Sequence, residues 1–225
     1  MSSHARRREF LIALCASPTL LASPAVLAQG RGEPPEGDYT VLANPQPTDS
    51  PGKIEVLDFF WYGCPHCYAF LPELESWRKR QPADVNFRHM PVDFNDPSRE
   101  PHTRLFCTLQ VLNKVEDLHV KVFDAFHRSH LRLNDSDSIA DFMAANGIAR
   151  DQWLAAYNSF SVAGLVRRAR ISFQTYQIDG TPTLAVDGRF LTSPTIVHSH
   201  SNAATMAVLD GLIEKVRNER KRKKS

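Results

Sequence analysis

Apolar positions change period along this chain. Ile54-Glu55-Val56-Leu57-Asp58-Phe59-Phe60-Trp61-Tyr62-Gly63 is a β-prone apolar run ended by glycine, which predicts a strand. From Tyr68 the period becomes helical, with Phe70, Leu71, Leu74 and Trp77 on one side. Arg80-Gln81-Pro82-Ala83-Asp84 breaks that helix, and Val85 to Val92 alternates as a half-buried strand does. From about 97 to 177 every apolar stripe is helical: Leu105, Leu109 and Leu112; Val115, Leu118, Val122, Phe123 and Phe126; then a helix with Ile139, Phe142 and Met143. Asp137 and Ser138 are its expected caps and Gly147 its terminator, whereas Asp151 is expected to cap a helix with Trp153, Leu154 and Tyr157. A longer helix follows over 162–176. Thr183 to Val186, the Asp187-Gly188 turn and Arg189 to Leu191 predict a hairpin, and Ala203 to about Arg217 a last helix. Only Tyr39 to Leu42 reads as a strand within the Pro- and Gly-rich lead-in of 29–52.

The first 28 residues lie outside this scheme. Arg6, Arg7 and Arg8 precede an apolar stretch from Phe10 to Leu27 interrupted by Pro18 and Pro24, the pattern of a signal peptide cleaved after Ala28. Arg7-Arg8-Glu9-Phe10-Leu11 also resembles a twin-arginine export signal, and either route leads out of the cytoplasm, where disulfides persist. The net charge of +2 conceals two opposed parts. Without 1–28 and 217–225 there remain 18 basic residues (27 less 3 less 6) and 23 acidic ones (25 less 1 less 1), a body of −5. Arg217, Arg220, Lys221, Arg222, Lys223 and Lys224 concentrate the positive charge at the end, as a solvated tail or a patch for an anionic membrane surface. A nucleic-acid partner is not expected.

The chemistry is concentrated in Cys64-Pro65-His66-Cys67, at the junction of the first long strand and its helix. A CxxC can be a redox dithiol, half of a metal site or a quiet structural pair. The chain has no second CxxC or CxxH to complete a zinc site, and Tyr68 stands where haem attachment needs histidine. A cysteine at a helix N-terminus faces unpaired N–H groups and partial positive charge, which stabilises a thiolate at Cys64. A protonated His66 would add to this. Cys107, within Leu105-Phe106-Cys107-Thr108-Leu109, reads as a buried free thiol. His127-Arg128-Ser129-His130 and His198-Ser199-His200 lack the partners a metal site requires, and no metal is expected. Glu55 reads as solvent-facing, and Trp61 and Tyr62 either rim a groove or pack.

The strand entering C-P-H-C, the helical block, and Gly180-Thr181-Pro182-Thr183 leading into a hairpin and final helix resemble the DsbA family over nearly all of residues 36–219. That resemblance implies an α/β thioredoxin fold: 29–96 and 177–219 form the thioredoxin-like domain, 97–176 a helical insertion between its βαβ and ββα halves, and 220–225 a basic tail. It implies a periplasmic thiol-disulfide oxidoreductase that passes a Cys64–Cys67 disulfide to reduced exported polypeptides, with Pro65 and His66 between the cysteines. It also implies a cis-proline at Pro182 beside Thr181, which stands where valine is familiar. Asp58 matches a position where relatives place an acid beneath the redox pair; it either exchanges the proton of Cys67 or points into a polar layer. A quinone-linked membrane oxidase of the DsbB type would restore the disulfide. No dissociable cofactor is implied, and a monomer is expected. The alternatives are an isomerase or reductase of the same fold, although 29–52 is too short for a dimerisation domain, or a non-catalytic metal-binding scaffold.

Overall fold

The structure, a computed structural model, describes residues 33–223, so the expected signal peptide lies outside the described residues. Five strands form one sheet in the order β1-β5-β4-β2-β3, built from β1 (Thr40–Val41), β2 (Ile54–Phe60), β3 (Val85–Pro91), β4 (Thr183–Val186) and β5 (Phe190–Thr192). β2 pairs parallel with β3 and antiparallel with β4. A parallel partner requires a crossover, and α1 (Pro65–Arg78) supplies it. Every residue of β2 is buried, which is why its sequence reads as a run rather than an alternation.

The period of two along β2 still sorts its faces. Ile54 and Val56 meet Phe70, Leu74 and Trp77 of α1 and Val208, Leu209, Leu212 and Ile213 of α7 (Asn202–Arg222). Leu57 and Phe59 meet Ala169 and Phe173 of α6 (Phe160–Thr175) and its C-cap Tyr176 on the opposite face. Asp58 shares the α1 side with Val56 and Phe60, so β2 carries a carboxyl beneath the helix that bears the cysteines.

The remaining helices are α2 (Glu100–Val111), α3 (Val115–His127), α4 (Ser136–Ala145) and α5 (Arg150–Tyr157). With Phe60, Tyr62, Cys64, Cys67 and Leu71 they enclose a core of Phe106, Leu109, Val122, Phe123, Met143 and Trp153. The redox pair therefore lies where the sheet's cap meets the helical block. α6 also reaches back to the sheet, so the helical block is seated on the strands rather than held apart from them.

Several local expectations change. Asp135, not Asp137 or Ser138, caps α4, accepting from the N–H groups of both. Asp151 lies inside the first turn of α5, whose cap is Ala149; there its charge favours the helix dipole without capping. α7 continues to Arg222 beyond the expected end near Arg217, because Arg217 pairs with Asp84 and Arg220 with Asp187. Glu55 is buried rather than solvent-facing: its carboxylate accepts from Arg88, the Ser50 hydroxyl and the Asp49 N–H. The Asp187-Gly188 turn has both residues at positive φ, as a two-residue hairpin turn requires.

Candidate active site

Cys64 is the N-cap of α1, and its Sγ accepts from the Cys67 N–H at 3.4 Å. Pro65 at the first helical position has no N–H to lose there. Gly63 gives the chain room before the cap: a Cβ would stand 2.5 Å from the indole of Trp61. No acidic residue occupies the first turn, so the positive end of the helix is left to the sulfur.

The two thiols ionise very differently. Cys64 is pulled down to about 5, first by the Cys67 thiol donating to its sulfur, then by hydrogen bonds from Thr181 and the N–H groups of Cys67 and His66, against the opposing effect of burial. Thr181 acts in both senses. Its hydroxyl favours the thiolate, while its carbonyl oxygen, 3.3 Å from Sγ, accepts only from the neutral thiol. The lowered value reflects the other donors acting with the hydroxyl. Cys67 is pushed well above the ordinary thiol range by burial, then by its bond to Cys64 and the nearby Asp58 carboxylate. One sulfur is thus an anion at neutral pH and the other a thiol.

The Thr181–Pro182 peptide is cis, and this loop faces Cys64. His66, Thr181, Pro182, Pro194, His200 and Asn202 line an open groove of about 340 Å³ beside it. His66 acts on Cys64 through its backbone, while its exposed ring borders the groove. Trp61 and Tyr62 both pack. The Trp61 indole N–H donates to His102 Nδ1 at 2.8 Å, which makes that nitrogen an acceptor and leaves Nε2–H to donate to Asn134 Oδ1 at 3.2 Å. Arg99 covers the indole face, 4.4 Å from its centre. Tyr62 is buried with its hydroxyl 2.9 Å from His119 Nδ1, and its carbonyl accepts from His127 Nε2 at 2.8 Å.

Asp58 lies 3% exposed on β2, opposite His89 in the β2–β3 register, and its Oδ2 is 2.8 Å from His89 Nδ1. Sequence reasoning missed His89, Glu75 and His119. The alternation of β3 held the signal for His89, since Val85, Phe87 and His89 share a parity, but pairing it with Asp58 required the register.

Cys107 is buried against Val162 and Val166 and pushed up to about 12 by burial. It is a core residue, remote in character from a nucleophile. Cys107→Ala is expected to leave the exchange rate within about twofold of the parent while costing about 1 kcal/mol of stability, the scale of a small buried truncation. Chemical denaturation together with a turnover assay checks both. Among the described residues no cluster of three or more His, Cys, Asp or Glu could hold a metal ion.

A low-pKa cysteine capping a helix, a buried partner three residues on, and the Thr181–Pro182 loop against them, on a five-stranded sheet flanked by helices, define a thiol–disulfide oxidoreductase of thioredoxin fold with a helical insertion. The comparisons narrow this further. A model described as the DSBA-like thioredoxin domain matches residues 55–201, and the chain belongs to that family. The thiol:disulfide interchange protein DsbA of Burkholderia cepacia is 39% identical over 200 residues, covering 88% of this chain and 90% of its own. That of Bordetella parapertussis is 40% identical over 203 residues, covering 90% and 93%. The crystal structure of Pseudomonas aeruginosa DsbA superposes with a TM-score of 0.78 at 37% identity, over 82% of this chain and 95% of that one.

Proposed function

We propose that the enzyme works as an oxidant, donating its Cys64–Cys67 disulfide to reduced polypeptides exported to the periplasm. The observation that carries this direction is the stabilised Cys64 thiolate, since a sulfur that rests easily as an anion is a good leaving group and makes its disulfide a strong oxidant. In this reading a substrate thiolate attacks Cys64, the Cys64–Cys67 bond breaks, and Cys67 leaves as a thiolate that takes up one proton. A second substrate thiolate then attacks the substrate sulfur of the mixed disulfide and expels the Cys64 thiolate. Two substrate sulfurs are oxidised and the enzyme's two are reduced.

The same reading gives each site residue a task. Cys64 is the nucleophile and leaving group, and Cys67 is its partner. Pro65 and His66 set the helix start and its N–H groups, and Thr181 and Pro182 present the groove edge to an extended substrate segment. Asp58 exchanges the proton of Cys67, because it is the carboxyl whose charge bears on that thiol. Reoxidation falls to a quinone-linked membrane oxidase of the DsbB type. No described helix is long and apolar enough to cross a membrane.

Equilibration of the purified enzyme in graded mixtures of reduced and oxidised glutathione tests the direction. The pair is expected to stay reduced in mixtures that bridge an ordinary dithiol; a pair that is bridged throughout would mark a reductant. The thiolate also sets a pH dependence. Because the folded value of Cys64 lies below the unfolded thiol value of about 8.5, its stabilisation of the reduced form is fully present above that unfolded value and is lost as pH falls through about 5. Cys67, shifted upward, contributes in the opposite sense, its stabilisation being lost only at alkaline pH. The disulfide form has neither group. The excess melting temperature of the reduced over the disulfide form is therefore expected to shrink on acidification from neutrality towards about pH 5, and a gap independent of pH would refute the thiolate.

A further inference from the structure

Beneath the cysteines lies a buried line of titratable groups, of which the exchange chemistry above uses only Asp58. Asp58 Oδ2 is 2.8 Å from His89 Nδ1, and His89 Nε2 is 3.5 Å from Glu75 Oε1. Glu75 Oε2 accepts from Arg78 at 2.8 Å, and Arg78 also binds Glu116 of α3. Burial falls along the line: the side chains are 4% exposed at Asp58, 7% at His89 and 14% at Glu75. Three features make the line one unit. The parallel register sets His89 directly across from Asp58; α1, which carries Cys67, also carries Glu75; and Asp58 Oδ1 makes no hydrogen bond, leaving it free for a transient partner.

We propose that His89 is the proton store for Cys67, acting through Asp58, with Glu75 as the anchor that holds the imidazole charged and connects it to the solvent edge. When Cys67 departs as a thiolate in its buried site, His89 gives its Nδ1 proton to Asp58 Oδ2, and Asp58 gives a proton to the Cys67 sulfur. One proton moves per disulfide transferred, His89 is reloaded from solvent at the Glu75 side, and no sulfur changes oxidation state in these steps. When the disulfide is restored the route runs in reverse: His89 releases its proton to solvent at the Glu75 side and takes up the one that Cys67 gives to Asp58.

The surroundings of His89 support the assignment. Burial alone would lower its affinity for a proton, but the bonds to Asp58 and Glu75 win and raise it. Glu75 is held down to about 2: burial raises it, and the bonds from His89 and Arg78 overcome that. Glu75 therefore remains a carboxylate and serves as an anchor rather than a donor. From α3, His119 lies against His89 with ring centres 4.2 Å apart and the planes tilted by 37°, and burial keeps it neutral, so it adds no competing charge. Phe60, Phe87 and Phe106 close the remaining sides edge-on. The proton thus has a route to water that avoids the face occupied by substrate.

This proposal rests on Asp58 exchanging the Cys67 proton, and the test separates the two. The disulfide form of the enzyme would be reduced by dithiothreitol in a rapid-mixing instrument, in light and heavy water, across neutral pH. His89→Gln and Glu75→Gln, which keep polar shape but cannot hold an imidazolium in place, are each expected to slow the reduction about tenfold, less than the roughly 10²–10⁴-fold of a group acting directly on the reacting atom, because both act through Asp58. Both should also flatten its pH profile and enlarge the solvent isotope effect, with the Cys64 thiolate titration unmoved. A purely structural role would lower the melting temperature and leave the isotope effect as in the parent. Parental rates and isotope effects in His89→Gln or Glu75→Gln, beside a slow Asp58→Asn, would overturn the proposal and leave the role of Asp58 standing. A parental Asp58→Asn would remove both. Glu75 lies at the solvent edge, so its variant keeps the test decisive if His89→Gln folds poorly.

Discussion

Cys64→Ser is expected to abolish oxidation of a reduced test protein, a loss on the order of 10³-fold or more, as for removal of other enzymic nucleophiles. The reason lies in the bond that must be made and broken. Serine cannot form the disulfide, and no other described sulfur can replace it: Cys67 is buried and protonated, and Cys107 lies in a separate apolar cluster. The variant should fold, because a serine oxygen at the helix N-cap accepts from the same N–H groups, and serine is among the favoured capping residues. Loss of turnover would be read from a gel-shift assay of substrate thiols, and folding from a cooperative thermal transition, with a melting temperature at neutral pH below that of the reduced parent because the stabilisation by the Cys64 thiolate is gone. Near-parental turnover would show that the exchange chemistry belongs elsewhere.

Which parts of this molecule were legible beforehand follows from how far each signal reaches along the chain. β2 and α1 declare themselves within one apolar run and one helical stripe, and Cys64-Pro65-His66-Cys67 sits at their junction, so motif and electrostatic setting are both local. The Asp187-Gly188 hairpin is local in the same way. Asp135 escaped because three polar residues, Asp135, Asp137 and Ser138, compete for one cap, and only the direction of the backbone decides. Glu55 was misjudged since a period of two gives a strand's faces but not what covers them; Arg88, one strand away, supplies its counter-charge. The Asp58–His89–Glu75 line joins β2, β3 and α1, and no window along the sequence contains all three. Pro182 reached the site only through the family resemblance, as its partner Cys64 is more than a hundred residues earlier in the chain.

The second large effect concerns the partner sulfur. In Cys67→Ser, Cys64 keeps its place at the helix cap and the N–H groups that stabilise its thiolate, and a serine hydroxyl can donate where the Cys67 thiol did. Attack on a disulfide therefore still occurs, but the bond formed to Cys64 has no internal thiol to release it. Mixed disulfides between Cys64 and its substrates are expected to accumulate and to vanish on reduction, while net oxidation falls on the order of 10²-fold or more. Non-reducing gels and mass spectrometry of the adducts distinguish this from misfolding, because a misfolded chain forms no selective adducts. The contrast with Cys64→Ser is the discriminating result, since one variant should be silent and the other trapped. Equal silence of both would mean that Cys67 does more than resolve the bond. Trapping by both would mean that the accessible sulfur is not the one at the helix cap, and the electrostatic asymmetry between the two thiols would then have no chemical consequence.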